Sequence, residues 1–296
     1  MHISLDSALG RQRRLNQIGE TISSIAAPTA AYSLRSITGG DPKAVRVRRS
    51  SDDSEQDFTV SEVFSGALVN FVGSGNDGFV ETWYDQLGSS NVTQSTSTKQ
   101  PKIVNAGALL QDANGNPYLE FDGTDDFYNI NKTTFRNVSY GYASAVAQYD
   151  DTNATNEPVY YASNGVSGSS SRAFLGKLNS GGAAKFVAAG RRTDSDAFRS
   201  SLETADTNKN LLTGLFQWGD GEVQLFVNGA AKTAASFLSG AGATSDTDSN
   251  TAFIGRFGSS YYDGKIYELI VYNTDQSGNR QALETNIANE YNITLS

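Results

Sequence analysis

From Ala30 onward the chain changes face at nearly every residue. AYSLRS (31–36) puts Tyr32 and Leu34 on one side, and AVRVRRS (44–50) does the same with Val45 and Val47. A period of two is the repeat of an extended strand whose faces meet different surroundings. The pattern returns in FVETWYD (79–85), PKIV (101–104), PYLEFDG (117–123), DFYNIN (126–131) and YGYASAVAQY (140–149). It continues through PVYYAS (158–163), AFLGKL (173–178), AKFVAAGR (184–191), NLLTGLFQWG (210–219), EVQLFVNG (222–229), TAFIGRFG (251–258) and GKIYELIVYN (264–273). Gly, Ser, Asn and Asp clusters separate these runs, so the spacing predicts an all-β sandwich or barrel. Asp220-Gly221 between two such runs predicts a two-residue hairpin turn.

Helical periodicity is confined to three places. Residues 5–25 carry Leu5, Ala8, Leu9, Leu15, Ile18, Ile22 and Ile25 at steps of mostly three and four, one stripe of an amphipathic helix that Pro28 closes. Arg11, Arg13 and Arg14 give this arm a charge sign opposite to the rest of the chain. An arm of that kind reads as a docking element, with Leu5, Leu9, Leu15, Ile18 and Ile22 as its apolar contacts, or as a helix packed on its own domain. SEVFSGALVNFVG (61–73) predicts a short helix capped by Ser61, and QSGNRQALETNIANEYNI (276–293) a closing helix with Leu283, Ile287 and Tyr291 on one face. The domain plan is thus an arm over 1–27 and a sandwich over 28–296.

Composition removes several chemistries. The chain of 296 residues has no cysteine, and its one histidine is His2. Thiol nucleophiles, zinc–thiolate sites and Ser-His-Asp catalysis are excluded, leaving carboxylates, tyrosines and lysines. A formal charge of −9 argues against general binding to nucleic acid. No apolar run approaches the ~20 residues of a membrane span, so the chain reads as soluble with no membrane insertion.

Two blocks resemble known families. GKIYELIVYNTDQSGNRQALETNIANEY looks like the end of laminin G-like, concanavalin A-like jelly rolls, and FQWGDGEVQLFVNG, FIGR and PYLEFDGTDDFY resemble earlier parts of that group in the right order. AAYSLRSI, VRVRRSSDDSEQDF, FVETWYDQLGSSNVTQ and QPKIV resemble the N-terminal half of arabinofuranosidase B-type catalytic domains. The same block, with an opening like SLDSALGRQRRLNQIGETISSIA, is similar to segments of bacteriophage virion proteins. The resemblance implies a concanavalin A-like β-sandwich with an N-terminal helical arm and a short C-terminal helix. It further implies a virion protein, made in the host cytoplasm, that decorates a capsid or forms part of a tail or fibre. Its partners would be other virion proteins, further copies of itself and host surface glycans. The family's nucleophile and acid lie beyond the matching block, so the expectation is a chain that is not an enzyme, with a carboxylate-dependent glycoside hydrolase as the alternative.

Candidate chemistry rests on acids and aromatics. Glu120 and Asp122, like Glu55 and Asp57, fall on one strand face, as a paired-carboxylate mechanism needs. Turn chemistry explains the same residues, with Asp122 accepting amides and Gly123 supplying a positive φ. Asp122, Asp125 and Asp126, with Asp52, Asp53 and Asp57, are hard oxygen ligands of the type calcium takes. Trp83, Trp218, Tyr261 and Tyr262 are candidate sugar platforms. The two tryptophans lie within strand patterns and read foremost as core, while the tyrosines fall in the loop 258–264 with Asp263 beside them to fix hydroxyls.

Overall fold

The computed structural model describes residues 20–88, 90–163, 172–193, 196–236 and 251–296. The arm positions Leu5, Leu9, Arg11, Arg13, Arg14, Leu15 and Ile18 lie outside them. Its last part is a single turn, Ile22–Ile25, capped by Thr21. Ile22 is fully buried among Ile37, Ile287 and Ala288. That corrects its assignment to a docking surface, because the side chain is already spent inside this fold.

Two antiparallel layers form the body, as expected of an all-β sandwich. The first is built around the strand Asp263–Tyr272, the longest described. Ala30–Ser33 and Leu119–Asp122 share one of its edges and Gly141–Tyr149 takes the other. From Gly141–Tyr149 the ladder continues to Asn210–Gln217 and Glu222–Val227. On the opposite side Leu119–Asp122 leads through Lys102–Asn105 and Gly78–Trp83 to Lys43–Arg49 and Glu55–Thr59. The second layer runs from Tyr128–Asn129 through Thr251–Ile254, Glu157–Ser163, Arg172–Ser180 and Ala183–Arg191 to Arg199–Thr204. Val92–Thr93 pairs with both layers and joins them.

The principal core lies between the layers and holds the inward alternate positions, among them Val45, Val47, Val80, Trp83, Leu119, Phe121, Leu175, Ile266 and Leu269. Trp83 is fully buried there, as are Trp218 and Tyr262. Trp218 stacks on Phe216 and cannot serve as a sugar platform.

A second cluster covers part of the outer face of the first layer. Leu283, Ile287 and Tyr291 of the helix Arg280–Tyr291 pack there on Tyr142, Leu211, Leu215, Tyr267 and Ile270, the face read from the sequence. Beneath that helix, Arg35 Nε lies 2.7 Å from Glu268 Oε2 and Arg35 Nη2 3.0 Å from Glu268 Oε1. Ser33 Oγ donates to Glu268 at 2.8 Å and Tyr291 Oη at 3.1 Å. The helix therefore meets the sheet through a fully partnered charge.

Two local expectations change. The helix read over 61–73 is two short helices, Val60–Ser65 and Ala67–Val72, parted by Gly66 at φ 92°. Thr59, not Ser61, caps the first, in a reciprocal box with Glu62, while Ser61 is held by Asp41. The hairpin at Asp220-Gly221 closes Gln217 on Glu222, so its loop holds four residues rather than two. Trp218, whose ring fills the core, lengthens it.

Among the described residues no helix is long and apolar enough to cross a membrane. Replacing Arg35 with Met leaves Glu268 buried and without its cation, which costs about 3–5 kcal/mol. A urea melt of Arg35→Met checks this through a midpoint well below that of the parent chain with an unchanged slope.

Candidate functional site

The C-terminal helix stops short of one end of the outer face, and a cleft opens there. Its volume is 620 Å³, and its walls include Arg48, Phe79, Gln100, Lys102, Glu120, Asp122, Asp126, Asp150 and Asp263. Strand register creates it. Arg48 pairs with Phe79, Phe79 with Lys102, Lys102 with Glu120, and Glu120 with Lys265, so one row of side chains crosses five strands. One step along, Asp122 stands opposite Asp263. Like charges placed directly across a ladder repel, and folding alone gives no reason to put them there.

The cations of the row are turned to other partners. Arg48 pairs with Asp53 at 2.7 Å and bonds Gln100 at 2.8 Å, while Lys102 pairs with Asp77 at 2.9 Å. Both lie against the Phe79 ring, with Arg48 Cζ 4.9 Å and Lys102 Nζ 5.6 Å from its centroid. Among the described residues Glu120, Asp122, Asp126 and Asp263 have no ion pair. Lys265, the third cation of the row, lies 3.7 Å from Asp150, so of the cleft's acids only Asp150 is in an ion pair among the described residues.

These acids do not share one environment. Asp126 is 5% exposed and its Oδ2 accepts the Asp122 amide at 3.1 Å. Burial, and then the neighbouring charge of Asp122, push the Asp126 carboxyl up to about 7. Asp122 is exposed, and its Oδ1 accepts the amides of Thr124 at 2.8 Å and Asp125 at 3.3 Å. Asp263 is also pushed up, first by burial and then by Asp150 and Asp151, with Lys177 pulling the other way. The arrangement puts an acid whose pKa is raised beside the exposed Asp122, with oxygens within 4.8 Å.

The structure sorts the residues singled out from the sequence. Glu120, Asp122, Asp126 and Asp263 meet in the cleft. The couplet Glu55 and Asp57 does not: Arg46 binds both, at 2.9 Å and 3.0 Å, and Lys43 and Tyr84 also hold Asp57. Asp52 and Asp53 are held by Arg49 and Arg48, so the two acidic loops do not merge into one cation site. Asp122, Asp125 and Asp126 do cluster. Trp83 and Tyr262 are fully buried, which corrects their assignment to a ligand surface. Tyr262 is instead a core strut, donating to the carbonyls of Gln148 and Lys265. Tyr261 is half-buried, with Arg256 Cζ 5.6 Å from its ring centroid.

Sequence reasoning placed Asp126 among cation ligands and missed it as an acid. It also missed Phe79 and Lys102, whose part in the site depends on which strands lie side by side.

No family model matches the chain, and no curated protein does. Solved structures do. A Glu-to-Gln mutant of a GH54 α-l-arabinofuranosidase, soaked with 4-nitrophenyl α-l-arabinofuranoside, matches with 16% identity and a TM-score of 0.61. The same enzyme type with a cyclic sulfate inhibitor gives 15% and 0.63. Each match covers 88% of this chain and 62% of that one, so this chain spans under two thirds of their length. A sialidase CBM40 module of Ruminococcus gnavus, bound to α2,3-sialyllactose, matches over 57% of this chain and 96% of its own, with 15% identity and a TM-score of 0.43. The arabinofuranosidase matches show the fold. They also overturn the expectation of a chain that is not an enzyme, because the structures that share this architecture over most of its length are hydrolases.

The Asp126 environment has a measurable consequence. Its folded pKa lies above the ordinary 3.8, so the folded state binds the extra proton and stability falls as pH rises from about 4 through about 7. Asp126→Asn keeps the oxygen that accepts the Asp122 amide and removes the titration. Its melting temperature should exceed the parent's at pH 8 by at least about 3 °C, a gap that closes towards pH 5. Thermal melts across that range check it.

Proposed function

We propose that the cleft binds a glycan and cleaves a glycosidic bond. The carrying observation is the pair Asp122 and Asp126, with oxygens within 4.8 Å in an open cleft. Two carboxylates that close cannot both ionise cheaply, so one keeps a proton. Asp126, the buried member, donates it to the leaving oxygen. Asp122, held by two turn amides, faces the sugar as nucleophile. Oxygens that near fit the short carboxyl spacing of a retaining mechanism better than the longer spacing of an inverting one. Glu120, on the same strand face, orients the sugar hydroxyls, and the edge of Phe79 supplies apolar contact. The fold shared with arabinofuranosidases supports a furanoside as the first substrate to try.

The competing occupant is a hard cation. Calcium on Asp122, Asp125 and Asp126 would take the same oxygens and hold Asp126 ionised, which makes the two readings exclusive. Turnover of 4-nitrophenyl α-l-arabinofuranoside separates them. The hydrolase reading expects Asp126→Asn and Asp122→Asn each to lose a factor of about 100 or more in kcat, and added calcium to inhibit. Turnover that requires calcium and stops with a chelator would assign the three acids to the ion instead. Wild-type rates in both variants would remove the pair from the chemistry.

We further place this module on a bacteriophage particle, held there by the segment preceding Glu20. The support is the resemblance of the N-terminal block to virion proteins, together with its basic, apolar-striped sequence. Since Ile22 belongs to the sandwich core, the attachment is assigned to residues 1–19. Deleting those residues should leave the melting temperature within about 2 °C and abolish incorporation into particles, scored by mass spectrometry of purified virions.

A further inference from the structure

One buried charge lies directly behind the cleft. Lys177 belongs to the strand Arg172–Ser180, and its inward neighbours in phase, Ala173 and Leu175, are core residues. Its side chain is 0% exposed. The ammonium lies 2.6 Å from Asp151 Oδ1 and 3.0 Å from Glu157 Oε1, donates to the Asp151 carbonyl at 3.2 Å, and rests 5.2 Å from the Tyr149 ring centroid. Glu157, itself 4% exposed, sits opposite Lys177 across the ladder.

Both arms of this pair end on the cleft wall. The second oxygen of Glu157 accepts the amide of Asp263 at 3.3 Å. The carbonyl of Asp263 accepts the amide of Asp150 at 3.2 Å. Asp151, the other anion on Lys177, is the chain neighbour of Asp150. Asp150 and Asp263 both line the cleft. Without the lysine, Asp151, Glu157 and Asp263 would be three acids gathered at one strand end, beside the Asp150–Lys265 pair.

A buried ion pair is poor evidence for stability, because an apolar pair of similar volume often does as well or better. An aliphatic residue at 177 would continue the Ala173–Leu175 face. Some other need keeps a lysine there. We infer that Lys177 is a positioning residue for the cleft: its ammonium ties the 150–157 segment and the start of the strand Asp263–Tyr272 together, so that Asp150 and Asp263 are presented to the substrate. It touches no substrate itself. This rests on the reading of the cleft as a glycan-cleaving site, while the tie it describes is a separate structural fact.

The variant Lys177→Met/Glu157→Gln removes the charge from both sides and leaves an acceptor for the Asp263 amide. Three quantities are read on the full chain: melting temperature, exchange of the Asp150 and Asp263 amides, and turnover of 4-nitrophenyl α-l-arabinofuranoside. The expected result is a melting temperature within about 3 °C of the parent, with both amides losing protection about tenfold or more. Turnover should fall about tenfold or more in kcat/KM, since displacement of a wall group by an ångström is enough for that. Unchanged protection of both amides would overturn the inference. So would a large drop in melting temperature with wild-type turnover per folded molecule, which marks Lys177 as structural only. If the parent chain does not cleave the arabinoside, the hydrolase reading falls, and amide exchange alone decides whether Lys177 orders the wall.

Discussion

The bidentate contact between Arg35 and Glu268 fixes the strand on which everything else is hung. Glu268 is 1% exposed, and at that depth a carboxylate persists only when its oxygens are fully engaged. Ser33 and Arg35, at the end of the first strand and just after it, and Tyr291, from the closing helix, engage them. The first strand, the central strand and the closing helix are thereby held in one register. A slip of one residue would turn Lys265 and Asp263 into the core and Ile266 out of it. The cleft exists because that slip is prevented.

Around this anchor the segment TWYDQ acts as a clasp. Asp85 accepts the amides of Ala31, Leu87 and Ser90, and Gln86 bridges the Ile37 amide to the carbonyls of Ser33 and Arg35. Aromatics beside an acid and an amide invite a reading as sugar chemistry. Here Trp83 fills the core and the two polar side chains substitute for ladder partners that the first strand lacks. The acid and amide of this segment do structural work, while the acids of the cleft sit among residues that also read as a turn.

That contrast marks how much was legible. Strands, the two-layer architecture and the apolar face of the last helix follow from periodicity, which is local. Glu120 and Asp122 were visible as a same-face pair for the same reason. The cleft was not, because it is a row across five strands, and cross-strand neighbours are set by topology rather than by spacing along the chain. Asp126 reads as one more acid in a turn until the fold buries it against the Asp122 amide. Lys177 left a trace: a lysine in the inward phase of AFLGKL breaks the strand pattern. The partners that explain it are brought by the neighbouring strand and the loop before it.

Gly264 carries a consequence for how such a site can change. Its φ is +138°, and a Cβ there would stand 2.2 Å from the Gln148 carbonyl oxygen. The strands bearing Asp150 and Asp263 approach backbone to backbone at that point, with no side chain between them. One wall of the cleft is thus a feature of the main chain and resists adjustment by substitution. The opposite wall is made of Phe79, Lys102 and Glu120, three side chains on three strands, each free to vary alone. Variation in what the cleft accepts is expected there, while the acidic wall stays as it is.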